Sequence, residues 1–146
     1  MAIMPSIVKH CLVTRVSNAV AAGTSDVNSD SVDMAQYEGV AFAVQFGAIT
    51  STAVTSVKIQ GSSDNSTFVD LEATAITVAD DDDNQVFVPE VLAPPYRYIR
   101  CVVDRGTANA VIDSILAIQT GPKYLPVTQP ATTTGEVQYA PAAGTA

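Results

Sequence analysis

The stretch that decides the fold is Tyr96-Arg-Tyr-Ile-Arg-Cys-Val-Val-Asp-Arg-Gly-Thr-Ala-Asn-Ala-Val-Ile-Asp-Ser-Ile-Leu-Ala-Ile-Gln119. Its first arm sets Ile99, Cys101 and Val103 against Tyr98, Arg100, Val102 and Asp104, a period of two that reads as a β-strand. Asp104 to Asn109 is a turn cluster, in which Gly106 is free to take positive φ. The second arm sets Ile112, Ser114, Leu116 and Ile118 against Val111, Asp113, Ile115, Ala117 and Gln119. Together they predict a hairpin at the centre of a β-sheet core. Ile99, Cys101, Val103, Ile112, Leu116 and Ile118 are assigned to the interior. Arg97 and Arg105 share that register, so they are expected at strand ends, where a long side chain reaches water. Tyr98, Arg100 and Asp104 are left on the opposite face as candidate partner contacts.

Similar patterns surround this stretch. Val40, Phe42, Val44 and Phe46 lie on one side of Gly39–Ile49, with Ala41, Ala43 and Gln45 on the other. Small alanines there would let a second layer approach closely. Residues 53–62 and 68–72 form a second hairpin across the polar turn Ser62 to Thr67. Short strands follow at residues 74–79 and 85–89, the latter ending at an edge or bulge because of Pro89. Residues 3–16 settle into a strand-like alternation with neither face cleanly apolar. Residues 17–37 are polar turns with a short strand. The expected fold is an all-β antiparallel sandwich, jelly-roll-like by first choice and immunoglobulin-like by second. The expected organisation is an N-terminal strand or arm (1–16), a sandwich body (17–119) and an extended C-terminal arm (120–146).

The 27 residues from Thr120 contain four Pro, six Thr, five Ala and three Gly, a composition that cannot build a core of its own. Tyr124, Leu125, Val127, Val137 and Tyr139 are spaced along it as anchors for another surface.

Composition narrows the function classes. The chain has 146 residues, the size of one domain, and a net charge of −8. Residues 36–119 hold eleven acids against four bases, which argues against direct nucleic-acid binding. No apolar run approaches a membrane span. Met1-Ala2-Ile3-Met4-Pro5 lacks the charged leader of a secretory signal, so synthesis in a cytosol is expected. Cys11 and Cys101 are too few for a disulfide framework.

Candidate chemistry is sparse. Asp26, Asn28, Asp30 and Asp33 resemble a calcium loop, but Ser31 stands at the turn position and Tyr37 at the bidentate one. Asp80, Asp81, Asp82 and Asp83 read as a solvated loop, with a carboxylate cage for a hard cation as the alternative. His10 and Cys11 are neighbours in a predicted strand and so point to opposite faces. No catalytic motif accompanies them, and the chain is read as non-enzymatic, with no cofactor.

Four segments in order carry a resemblance. They are Val57-Lys-Ile-Gln-Gly-Ser-Ser-Asp-Asn-Ser-Thr-Phe-Val-Asp-Leu-Glu72, Ile76-Thr-Val-Ala-Asp-Asp-Asp-Asp-Asn-Gln85, Arg97-Tyr-Ile-Arg-Cys-Val-Val-Asp-Arg105 and Ala110-Val-Ile-Asp-Ser-Ile-Leu-Ala-Ile-Gln119. Over about residues 17–127 the chain resembles head decoration, or cement, proteins of tailed bacteriophages. That resemblance implies a β-rich homo-oligomer, dimer or trimer, on the outer surface of the virion capsid, clamping major capsid protein subunits. A phage tail or fibre sandwich that binds host carbohydrate or another tail protein is the alternative.

Overall fold

A computed structural model describes residues 5–146. One helical turn, α1 (Ile7–His10), precedes the strands β1 (Leu12–Ser17), β2 (Val20–Gly23), β3 (Val27–Asn28), β4 (Val32–Asp33), β5 (Gly39–Ile49), β6 (Val54–Ser62), β7 (Val69–Asp70), β8 (Ile76–Val78), β9 (Val86–Phe87), β10 (Glu90–Leu92), β11 (Tyr98–Thr107) and β12 (Ala110–Thr120). The first sheet runs β1-β12-β5-β10, with β2 also on β12 and β9 also on β5. The second runs β3-β11-β6-β7, with β4 also on β11 and β8 also on β6.

Four pairs of short strands are interrupted halves of single edge positions: β1/β2, β3/β4, β7/β8 and β9/β10. Counting each pair once gives eight positions in chain order, arranged 1-8-3-6 in one sheet and 2-7-4-5 in the other. Two antiparallel four-position sheets so interleaved are a jelly roll. The chain changes sheets at nearly every connection, so its core is closed by contacts distant in sequence.

The interior follows the period-two pattern. Val40, Phe42 and Val44 of β5, Val57 and Ile59 of β6, and Ile99, Cys101 and Val103 of β11 are all 0% exposed. The predicted β6–β7 hairpin is present, pairing Gln60 with Asp70 and Gly61 with Val69.

Several expectations are corrected. β11 and β12 are not a hairpin: β11 pairs with β6 in one sheet, and β12 pairs with β5 in the other. The short connection carries the chain across the sandwich. Its left-handed residue is Ala108, at φ 58°, and Gly106 does not adopt positive φ. Residues 7–10 form a helical turn rather than a strand, because Ser6 accepts the Lys9 amide on its Oγ at 3.3 Å as an N-cap. Residues 3 and 4 of that predicted strand lie outside the described residues.

The interior face of β12 also changes parity along its length. Ile112 sits opposite Phe46, yet Ser114 sits opposite Gln45, so β12 advances two residues while β5 advances one. Asp113 is the extra residue of a β-bulge. Beyond it the buried residues are Ile115 and Ala117, and the expected interior residues Leu116 and Ile118 turn to the outer face, half-buried. A one-residue slip moves every later side chain to the other face.

Arg105 is the other correction, since it is only 4% exposed. Its Nε donates to the Ser25 carbonyl at 2.7 Å, and Nη1 donates to the Ala21 and Ala110 carbonyls at 2.9 and 2.8 Å. Backbone dipoles take the place of water around the buried charge, and among the described residues no carboxylate pairs with it. Arg97 fulfils its expectation. It is exposed at the start of β11 and forks onto Asp33 through Nε at 3.0 Å and Nη2 at 2.8 Å.

The segment after Thr120 has no helix or strand. Part of it doubles back along the N-terminal residues. The Val127 amide donates to the Lys9 carbonyl at 2.9 Å, and the Thr133 hydroxyl donates to the Val13 carbonyl at 2.8 Å. The β1 edge of the first sheet is thereby covered by the chain's own end, a common protection of an open edge.

Candidate functional site: an apolar groove at one end of the sandwich

Three links meet at one end of the jelly roll: residues 34–38 entering β5, residues 93–97 between β10 and β11, and residues 120–121 leaving β12. They enclose an open groove of about 820 Å³ whose walls include Met34, Tyr37, Leu92, Pro94, Pro95 and Tyr96. The prolines hold their link extended, and Tyr96 is seated because Gly61 has no side chain. A Cβ at Gly61 would meet the Tyr96 ring at 2.5 Å. Burial raises the Tyr37 hydroxyl above its ordinary pKa.

Tyr37 also forms a wall of a smaller hollow of about 280 Å³ lined by Tyr124, Pro126 and Val127. Leu92 beside the groove is 69% exposed, and Tyr124 and Leu125 at the base of the arm are 78% and 59% exposed. This end is therefore apolar and aromatic, and open to solvent. Its charged features are Glu38 on the groove wall, Lys123 on the smaller hollow and the Arg97–Asp33 pair at the rim, in which the guanidinium hydrogen bond holds the Asp33 carboxyl below its usual range. Such a surface binds by burying apolar area, and carries no nucleophile and base in hydrogen-bonding array.

The candidate contacts named from sequence fall into separate places. Tyr98, Arg100 and Asp104 form a half-buried column on β11. Arg100 donates through Nε and Nη2 to Gln60 Oε1 at 2.9 and 2.7 Å, and stacks 4.1 Å over the Phe68 ring. Val102, expected on the same outer face, is almost fully buried. Tyr124 stands exposed on the small hollow beside the groove, Leu125 is exposed next to it in the chain, Val127 is tied to Lys9, and Val137 and Tyr139 are exposed farther along the arm. The β11 column belongs to the second sheet, whereas the arm follows the β1 edge of the first. They are not one site.

The aspartate loop holds backbone. Asp80 Oδ2 accepts the Thr52 amide at 2.6 Å, Asp82 Oδ2 the Ala79 amide at 2.9 Å, and Asp83 Oδ1 the Ile49 amide at 2.6 Å. Asp80 and Asp83 fasten the loop to the β5–β6 turn and the end of β5, Asp82 closes the loop on itself, and Asp81 is exposed. Among the described residues no group of three or more His, Cys, Asp or Glu is placed to hold a metal ion. His10 Nδ1 lies against the Ser6 backbone, and Cys11 is half-buried next to it. Among the described residues, no helix is long and apolar enough to cross a membrane.

The groove residues were not singled out from sequence. Pro94-Pro95-Tyr96 is a local signal in the sequence, but only of an extended lead into β11. Met34 and Tyr37 join it only through the fold.

No protein-family model matches the sequence, and no curated protein matches it. Among solved structures, the PBSX exported protein XepA matches 96% of this chain with a TM-score of 0.56 at 16% sequence identity. The match covers 47% of that protein, so this chain spans about half the length of the structure it resembles. At that identity the likeness is one of fold.

Proposed function

We propose that this chain is a non-enzymatic virion structural protein that binds the outer surface of a tailed-phage capsid and cements neighbouring major capsid subunits. The observation that carries the reading is the apolar end of the sandwich, where Leu92 stands exposed on the wall of an open groove and Tyr124 stands exposed on a smaller hollow that shares Tyr37 with it. A contiguous apolar surface on a small rigid body is the mark of a protein-contact site. The sequence resemblance to phage decoration proteins points the same way, and the fold shared with the PBSX exported protein XepA is compatible with it. Weak contacts of this kind gain strength by repetition over a symmetric shell, because many identical sites act together.

The arm divides into two parts in this reading. Residues 123–133 are tied to the chain itself, through bonds to Gln36, Lys9 and Val13. Beyond them Val137 and Tyr139 are exposed and free to add contact area.

The test is cryo-electron microscopy of capsids incubated with the purified protein, with copy number measured on the same particles. Hundreds of copies outside the shell, contacting it through the groove end, are expected. Removing residues 136–146 should lower occupancy and leave the circular dichroism spectrum unchanged. A few copies confined to the tail would overturn the capsid reading.

A further inference from the structure

We propose that the outer face of the first sheet is a self-complementary surface that pairs with the same face of a second copy of this chain. The bulge at Asp113 turns Leu116 and Ile118 outward on β12, one of the two central strands. On β5, the adjacent central strand, their ladder partners are Ala43 and Ala41. Large side chains stand in one column and small ones in the next, all four half-buried.

A two-fold axis running along the strands between β12 and β5 exchanges those columns. It lays Leu116 of one copy on Ala43 of the other, and Ile118 on Ala41, so ridges meet troughs on both sides. Sheets packed face to face keep their strands within about 30° of each other at a spacing of about 10 Å, which this arrangement satisfies. Isologous pairing of this kind is the commonest symmetry among soluble oligomers.

Charge follows the same operation. Arg15 on β1 pairs with Leu116, and Glu90 on β10 pairs with Ala41, so both project on this face at opposite edges of the sheet. Among the described residues neither makes a salt bridge within its own chain. The two-fold brings the β1 edge of one copy over the β10 edge of the other. Arg15 and Glu90 then face each other in adjacent rows, about 7 Å apart along the strand and within reach of the long arginine side chain. An unrelated partner would require neither the exchange of large and small columns nor the exchange of charge. A second copy requires both.

The pairing concerns the purified protein alone and is independent of which virion surface it binds. Sedimentation velocity over a concentration series should show a species of about twice the 15.2 kDa chain mass. Leu116→Lys and Ala43→Glu, each checked for native circular dichroism, should both sediment as monomers. Arg15→Glu and Glu90→Arg should each weaken association about tenfold, and the double variant R15E/E90R should restore it. The restoration separates a specific contact from general loss of structure. A wild type that stays monomeric throughout would overturn the pairing, as would an oligomer unchanged in both Leu116→Lys and Ala43→Glu. So would a double swap that fails to recover. A monomeric wild type whose capsid binding is nevertheless lost in Leu116→Lys would give the face to another protein and likewise overturn it.

Discussion

Gln129 lies across the free edge of β1 and treats Val13 as a strand partner would. Its Oε1 accepts the Val13 amide at 3.0 Å, and its Nε2 donates to the Val8 and Cys11 carbonyls at 2.8 and 2.6 Å. One side-chain amide thus satisfies three backbone groups that would otherwise face solvent. Gln129→Ala should release residues 123–135 from the N-terminal segment. The expected loss is about 1–2 kcal/mol in urea unfolding, with faster proteolysis confined to the arm. Mass spectrometry of the first cleavage products checks it: cuts elsewhere in the body would show that the glutamine does not hold the arm.

Arg105 should be among the most sensitive positions in the body. Its guanidinium reaches carbonyls of Ala21 in β2, Ser25 in the β2–β3 link and Ala110 at the start of β12, segments far apart in sequence. Arg105→Ala leaves those acceptors unpaired and opens a void, so a loss of about 3–5 kcal/mol is expected. Arg105→Lys keeps the charge but cannot fork, and should recover only part of the loss. Equal stability of the lysine variant and the wild type in urea melts would show that charge alone, rather than the forked geometry, matters.

What could be read from the residues was whatever depended on local alternation. Phe42 and Ile99 were placed correctly because nothing interrupts period two around them. Leu116 was not, because the bulge at Asp113 leaves no mark in composition: an acidic residue on an exposed side fits either parity. The β11–β12 connection misled for a related reason. A turn of a few residues between two strands usually makes a hairpin, and only the tertiary requirement to close a second sheet sends it across the sandwich. The groove is less legible still. Met34, Leu92, Tyr96 and Tyr37 come from separate segments and meet only after both sheets have formed.

The parity change makes a direct prediction. Ile115→Ala should destabilise the protein by about 2–4 kcal/mol, because Ile115 is 0% exposed in the core. Leu116→Ala, on the outer face, should cost the isolated fold less than about 1.5 kcal/mol. Uninterrupted alternation reverses that order. Denaturation of both variants at low protein concentration, where association does not contribute, decides between the two registers.

Burial should also separate the two thiols. Cys101 is 0% exposed, and desolvation pushes its pKa up to about 12, whereas Cys11 is partly accessible. Iodoacetamide at neutral pH should label Cys11 in the native protein and reach Cys101 only on unfolding. Quantitative peptide mapping before and after denaturant reads this. Early labelling of Cys101 would mean that β11 opens far more readily than a central strand should.

The last prediction concerns acid. Asp64 organises the β6–β7 turn, accepting the Thr67 and Ser66 amides at 2.8 and 2.9 Å and the Ser62 hydroxyl at 2.8 Å. These bonds, the Thr67 amide first, favour the charged carboxylate and lower its pKa from 3.8 to about 2. Because the native value lies below the unfolded one, protonation is easier in the unfolded chain. The stabilisation is fully present above the ordinary carboxylate range and is lost as pH falls from about 4 through about 2. Asp64→Asn removes the titration, so its stability should decline less steeply than the wild type across that window. Carboxyl chemical shifts followed by NMR should place the Asp64 midpoint near 2. A midpoint near 4 would mean that the turn is not held by this side chain.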